Sequence, residues 1–251
     1  MGTSFKDITV QIPASWQALT RSQLYYVFSL IADNLSVDQM KAYCFFTFSG
    51  VTILHRYGNG YMLAKDETRL PVSAMDIAYA MRALDWLESV PDTPVRIDKR
   101  GRHRAADSQL HGVAFGDYIA CDNYYQGYLQ TQDAALLVEM AKILYSAERI
   151  RINRAEKMSV FYWFTSVKSL FSRSFPYFFQ PVGNVSPDNL LEEGAPLAKR
   201  ITDAMNAQIR ALTKGDVTKE DKVLKMDVWR ALTELDALAK EYIDYKRKYG
   251  K

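Results

Sequence analysis

The C-terminal residues 218–251 carry the strongest folding signal in this chain, an apolar seam with heptad spacing. Thr218 and Asp221 resemble a capping box at its start, and the cations at 246–248 suit the negative end of a helix. We therefore predict one helix of roughly 30 residues, which must pack either on its own domain or on another subunit. The seam positions alternate by four and three over about three heptads: Leu224, Val228, Ala231, Leu235, Leu238, Tyr242 and Tyr245.

Upstream, the patterns predict a mainly α protein with a small β element, an α+β fold. Capping boxes at Thr20–Gln23 and Ser36–Gln39 and a cap at Ser73 predict three helix starts. A further helix is expected to begin at Thr131. Other segments give weaker signals: an N-terminal strand (7–12), a β-hairpin around Gly58-Asn-Gly60 (51–65), a short strand (95–97) and an exposed polar loop (98–107).

The residues 181–187 are rich in Pro, Gly and Asn and form the best candidate for a linker. They would divide a mainly helical domain (1–180) from a C-terminal helical hairpin (188–251). The hairpin would consist of a helix around 195–212 followed by the long helix described above.

Composition is that of an ordinary globular chain, with 48% hydrophobic and 24% charged residues. The 16 Tyr and 12 Phe favour assembly, because these side chains are common at protein interfaces. A net charge of +3 is too small to imply bulk nucleic-acid affinity, so nucleic acid is not the favoured partner. We expect neither a signal peptide nor a membrane-spanning helix, and therefore a protein that is cytoplasmic or part of a particle assembled in a cytoplasm.

Side chains that could perform catalysis are few and scattered. Only three His and two Cys occur, and none has the spacing of a metal site. Cys44 and Cys121 lie in apolar settings and are expected to be buried thiols. We predict no catalytic residues, no metal, no cofactor and no small-molecule ligand. An enzyme with a cryptic site stays open, and would need a pocket that gathers a His or Cys with carboxylates.

Two groups of residues are candidates for contacts with other molecules. The basic residues Lys99, Arg100, Arg102 and Arg104 could be a solvated loop, could bind an anion or nucleic acid, or could dock on an acidic partner. The second group combines the aromatic segments near 161–164 and 175–179 with the C-terminal helix, and could form either a core or a subunit interface. Its predicted interface residues are Phe161, Trp163, Phe164, Phe178, Val228, Trp229, Leu232, Leu235 and Tyr242.

Two blocks carry a resemblance to a known family. The first is IPASWQALTRSQL at 12–24; the second is LTKGD at 212–216 followed by MDVWRALTELD at 226–236. Together they are similar to a family of Bacteroides-type phage and prophage proteins whose genes lie among structural and tail-morphogenesis genes. The resemblance implies a virion or assembly component, such as a tail or neck protein or a tail-assembly chaperone. It implies no site residues.

The leading hypothesis is therefore a non-enzymatic protein that acts through protein–protein interfaces, with other phage structural proteins or itself as partner. The alternatives are a nucleic-acid-associated protein that uses the basic loop 99–104, and an enzyme with a cryptic site.

Overall fold

The computed structural model describes residues 8–179 and 206–249, and its fold is mainly α with two small antiparallel sheets. The predicted α+β class is therefore confirmed. Contacts divide the chain into two compact units, with boundaries after Pro91, Asn153 and Ser159. Helix α6 (Arg154–Ser174) contributes residues 154–159 to the first unit and the remainder to the second.

The first unit contains three helices, a three-stranded sheet and two 3-10 helices. Its helices are α1 (Arg21–Ala32), α2 (Val37–Ser49) and α3 (Ala74–Met81), and its strands are β1 (Thr52–Tyr57), β2 (Gly60–Lys65) and β3 (Thr68–Ser73). The 3-10 helices are Trp16–Ala18 and Arg82–Glu88. Its core contains Trp16, Val27, Phe28, Cys44, Phe45, Leu84 and Leu87.

The predicted helix starts in the first unit are confirmed. Thr20 accepts a hydrogen bond from the Gln23 amide, and the Gln23 side chain accepts one from the Thr20 amide. Ser36 and Gln39 repeat this capping box at α2, and Ser73 caps α3. Each box satisfies two amides that the first helical turn would otherwise leave without an acceptor.

The predicted β-hairpin is present as β1 and β2, and β3 extends it into a sheet of order β1-β2-β3. The third strand was missed because its turn, Asp66-Glu67, lacks the glycine that usually marks a tight hairpin. Asp66 instead adopts a positive φ of 51°. Gly60 is required by packing, since a Cβ there would lie 2.0 Å from the Val72 carbonyl oxygen.

Three local predictions were wrong. Residues 8–13 form no strand, and no partner strand for them exists in the described residues. The segment 95–97 is also irregular. Thr131 does not cap the following helix; its hydroxyl donates to the Gly127 carbonyl of the preceding helix and accepts from the Asp133 amide. Asp133 caps instead, accepting from the Ala135 amide.

The second unit is built from helices around one aromatic and aliphatic core. Its elements are β4 (Lys99–Arg100), β5 (His103–Arg104), α4 (Phe115–Thr131), α5 (Ala134–Leu144), most of α6, α7 (206–213), α8 (Glu220–Leu224) and α9 (Val228–Tyr249). Apolar side chains larger than alanine with at most 1% exposure come from four of these helices: Phe115, Leu137, Met140, Leu144, Val160, Trp163, Phe164, Val167, Phe171, Val228 and Leu232.

The long C-terminal helix is interrupted, which corrects the prediction of one continuous helix from Thr218. The Met226 carbonyl accepts from the Phe115 amide (2.7 Å), and the Val228 amide donates to the Val113 carbonyl (2.9 Å). Because the Met226 carbonyl and the Val228 amide are used in these bonds, they do not form the hydrogen bonds that a continuous helix through 225–227 would need. Asp227 then caps α9 by accepting from the amides of Trp229 and Arg230. Thr218 is no cap; its amide and hydroxyl both donate to Asp216.

The predicted linker at 181–187 and the first part of the helix expected at 195–212 lie outside the described residues. Residues 206–213 are helical.

Candidate interaction surfaces

Most of the predicted interface residues in α6 belong to the core. Trp163 and Phe164 have no exposed surface. The Trp163 indole donates to the Ser108 carbonyl at 2.9 Å, and Phe164 packs on Tyr118 and Tyr125 of α4. A side chain without exposed area cannot contact a partner in this conformation. The structure therefore assigns these two residues to the core of the second unit.

Phe161 and Phe178 are half-buried against neighbours in the same unit. Phe161 packs on Tyr125 and Tyr128 of α4 at centroid distances of 5.6 and 5.3 Å. The Phe178 ring meets Phe179, and its backbone amide donates to Asp236 of α9. Both rings keep only part of their surface available for another molecule.

The first half of α9 is also core. Val228 and Leu232 are fully buried and Leu235 is 4% exposed, so these three predicted interface residues pack inside the chain. Trp229 is half-buried. Its indole donates to the Gln109 carbonyl at 2.8 Å, and its ring stacks on His111 at 4.8 Å. Its remaining ring contacts are Phe171 and Phe175.

The second half of α9 is exposed. Tyr242, Tyr245 and Tyr249, which we call the tyrosine stripe, are 59%, 64% and 61% exposed. Their spacing of three and four residues places them on one helical face. The Lys246 ammonium lies 4.9 Å from the Tyr242 ring centroid, so the stripe is both aromatic and basic. Of these residues only Tyr242 was among the predicted interface positions.

A second apolar surface, in the first unit, was missed. Every residue of β1 is exposed, including Ile53, Leu54 and Tyr57 at 46%, 45% and 55%. β1 forms an edge of its sheet, and a bulge interrupts its pairing with β2 between Ile53 and His55. Exposed apolar edge strands favour pairing with other chains. The signal in the sequence was the segment Thr-Ile-Leu-His-Arg-Tyr, which lacks the alternation of apolar and polar residues that a half-buried strand shows.

The predicted anion-binding residues lie together on a hairpin. Lys99 pairs with Arg104, and Arg100 pairs with His103. Gly101, at φ 56°, occupies the first position of the two-residue turn, as a II′ turn requires. Lys99, Arg100, Arg102 and Arg104 are all exposed. The segment expected to be a loop is thus an ordered basic hairpin, defined here as residues 99–104.

A polar cleft of about 320 Å³ lies in the second unit and is lined by Asp107, His111, Asp117 and Ser146, among others. This is the arrangement of a His with carboxylates that a cryptic enzyme would need. Within the described residues, however, the His111 ring makes no hydrogen bond to any of the other three; its contact is the stack on Trp229. Asp107 accepts from the amides of Gln109 and His111 and so orders the loop. A nucleophile–base pair requires hydrogen-bond contact.

The two thiols are buried, as predicted. Burial raises the pKa of Cys44 to about 12. Burial also raises the pKa of Cys121, with a smaller contribution from Asp117 and Asp122. Reactive cysteines have a lowered pKa and some exposure, so neither thiol has the properties of a nucleophile.

Across residues 8–179 and 206–249, no three His, Cys, Asp or Glu side chains lie close enough to hold a metal ion together. In the same ranges, none of the helices combines the length and apolar character needed to cross a bilayer.

Comparison with known proteins adds no relative: no protein-family model, curated protein or solved structure matches this chain.

Proposed function

We propose that this chain is a non-enzymatic phage structural or assembly protein, a tail or neck component or a tail-assembly chaperone, that works through protein–protein contacts in a virion or the host cytoplasm. The observation that carries the proposal is the division of the α9 seam: Val228, Ala231 and Leu235 are buried within the chain, whereas Tyr242 and Tyr245 continue the same seam into solvent. The phage assignment rests on the resemblance of the two sequence blocks.

The exposed half of the seam has the chemistry of a docking surface. Tyrosine provides a large contact area at a small cost in conformational entropy, and it is enriched in interfaces. The first half of α9 is anchored by core packing and by the Asp227 cap. The helix therefore presents the stripe in a fixed orientation, which lowers the entropic cost of binding.

The test is native mass spectrometry of the full chain, alone and mixed with the products of neighbouring genes. We expect a defined complex for the wild type. The double variant Tyr242→Ser/Tyr245→Ser should lose it, with Kd raised by about 100-fold or more if the two tyrosines are central contacts. The control Tyr25→Ser/Tyr43→Ser removes two exposed tyrosines from α1 and α2 and should leave the complex intact.

A wild-type chain that stays monomeric in every mixture would contradict the proposal. Equal losses in the stripe variant and in the α1/α2 control would show that the stripe is not the docking surface.

A further inference from the structure

We infer that the basic hairpin binds the phosphate backbone of duplex DNA by entering a groove. This site is separate from the tyrosine stripe and does not depend on the proposed protein–protein function. It develops the alternative, stated from the sequence, of a nucleic-acid-associated protein that uses the basic loop 99–104, which net charge alone does not favour.

The first observation is the distribution of charge over the two faces of the hairpin. Residues paired across an antiparallel ladder share a face, and successive residues alternate between faces. Lys99 and Arg104 therefore lie on one face, Arg100 and His103 lie on the other, and Arg102 is at the tip. Cations on one face would suit a flat anionic surface. Cations on both faces suit a channel with phosphates on either side.

The second observation is that the structure adds cations that the sequence did not place there. The Arg100 Nε atom donates to the Arg151 carbonyl at 3.2 Å. This contact brings the segment 148–151 beside the hairpin, and the segment contributes exposed Arg149 and Arg151 against the single acid Glu148. The acid at the hairpin root, Asp98, is paired with Arg96 at 2.9 Å, which reduces its competition for the other cations.

The third observation is the rigid root of the hairpin. Ile97 and Ala105 are buried. The Tyr145 hydroxyl donates to the Ile97 carbonyl at 2.6 Å, and the Ala106 amide donates to the Leu144 carbonyl at 2.7 Å. Arg96 also donates to the Ala106 carbonyl. The charged tip is thus held in place by buried bonds, so little backbone ordering remains to be lost on binding.

Duplex DNA fits this geometry better than a single strand does. The major groove is about 12 Å wide and admits a two-stranded β-ribbon between its two phosphate rows. Proteins that bind single strands use aromatic side chains for base stacking, whereas residues 99–104 contain no Phe, Tyr or Trp. The contacts would be made to phosphates, so sequence preference should be weak and salt dependence strong.

The experiment measures binding of the full chain to a fluorescent duplex and to the corresponding single strand by anisotropy, over a range of salt concentrations. Two variants remove two cations each: Lys99→Ala/Arg104→Ala on one face of the hairpin, and Arg100→Ala/Arg151→Ala on the other face and in the segment beside it. We expect each to weaken duplex binding by about tenfold or more at 0.1 M salt and to reduce the slope of log K against log salt by about 2. Thermal melting checks that each variant is folded.

The matched control, Lys222→Ala/Lys225→Ala, removes two exposed lysines from the region of α8 and lowers the net charge equally. It should retain most of the binding. The inference is overturned if the control loses as much affinity as the hairpin variants, if the single strand binds more tightly than the duplex, or if the wild type binds neither.

Discussion

The Lys41 ammonium joins two elements of the first unit through ion pairs. Lys41 lies on α2, its side chain is 10% exposed, and its ammonium contacts Asp85 at 2.5 Å and Glu88. Both carboxylates belong to the 3-10 helix Arg82–Glu88 and are about half exposed. Hydrogen bonds to Asp85 and Glu88 raise the pKa of Lys41 above 10.5. The ion pairs thus connect α2 to the 3-10 helix Arg82–Glu88.

Replacing Lys41 with Met should lower the free energy of unfolding by about 1 kcal/mol near neutral pH, a value reduced because solvent screens the two carboxylates. A raised folded-state pKa means that the stabilisation is complete below pH 10.5 and is lost as the pH rises through the folded-state pKa. The difference between wild type and variant, measured by urea denaturation, should therefore shrink at higher pH.

The control for Lys41 is Lys142→Met, which breaks a half-exposed pair with Glu139 within α5 and should cost less than about 0.5 kcal/mol. If the difference in free energy of unfolding between wild type and Lys41→Met stays constant above pH 10.5, the destabilisation comes from lost packing and not from lost charge.

At the scale of elements, α9 combines two roles along one heptad seam. Its first half completes the core of the second unit, and its second half extends into solvent. The change occurs near Asp236, which accepts hydrogen bonds from the amides of Tyr177 and Phe178. The Lys240 ammonium of α9 also lies 5.4 Å from the centroid of the Tyr177 ring. Beyond Asp236, Leu238 is half-buried and the seam positions Tyr242 and Tyr245 are exposed.

Stability measurements should divide α9 at this point. Leu232→Ala removes a fully buried side chain and should lower the free energy of unfolding by about 2–5 kcal/mol. Tyr242→Ser changes a side chain that is 59% exposed and should alter it by less than about 0.5 kcal/mol. Urea denaturation monitored by circular dichroism measures the stability change of each variant. A comparable loss in both variants would mean that the stripe is part of the core.

At the scale of the whole molecule, each of the two units contains one buried thiol. Cys44 belongs to the first unit and Cys121 to the second. Because both thiols are protected by burial, their labelling can report the opening of each unit. This allows the stability of the units to be measured one at a time in the full chain.

The variants Cys121→Ala and Cys44→Ala keep one thiol each, Cys44 and Cys121 respectively. Without denaturant, a thiol reagent should label each of them slowly, because both are buried. Adding Lys41→Met to each should lower the denaturant concentration at which Cys44 becomes reactive and leave that of Cys121 nearly unchanged, since Lys41 and its carboxylates all lie in the first unit. An equal shift for both thiols would mean that the units unfold as one cooperative body.

Local signals predicted local structure well. The capping boxes at Thr20 and Ser36 and the Gly58–Gly60 hairpin depend on hydrogen bonds and backbone angles within a few residues, and all three are present. Predictions failed where a distant segment supplied the partner. The helix from Thr218 is broken because residues 113–115 bond to Met226 and Val228, and nothing near 226 in the sequence indicates that partner.

The same distinction applies to the candidate surfaces. The seam, the aromatic segments and the basic cluster are evident from the sequence, because periodicity and charge are properties of neighbouring residues. The folded chain was needed to show that Trp163 and Leu232 are core while Tyr242 is exposed, and that Arg151 lies beside Arg100. Burial and proximity depend on which elements meet in space, and an apolar stripe looks the same in sequence whether its own chain covers it or leaves it exposed.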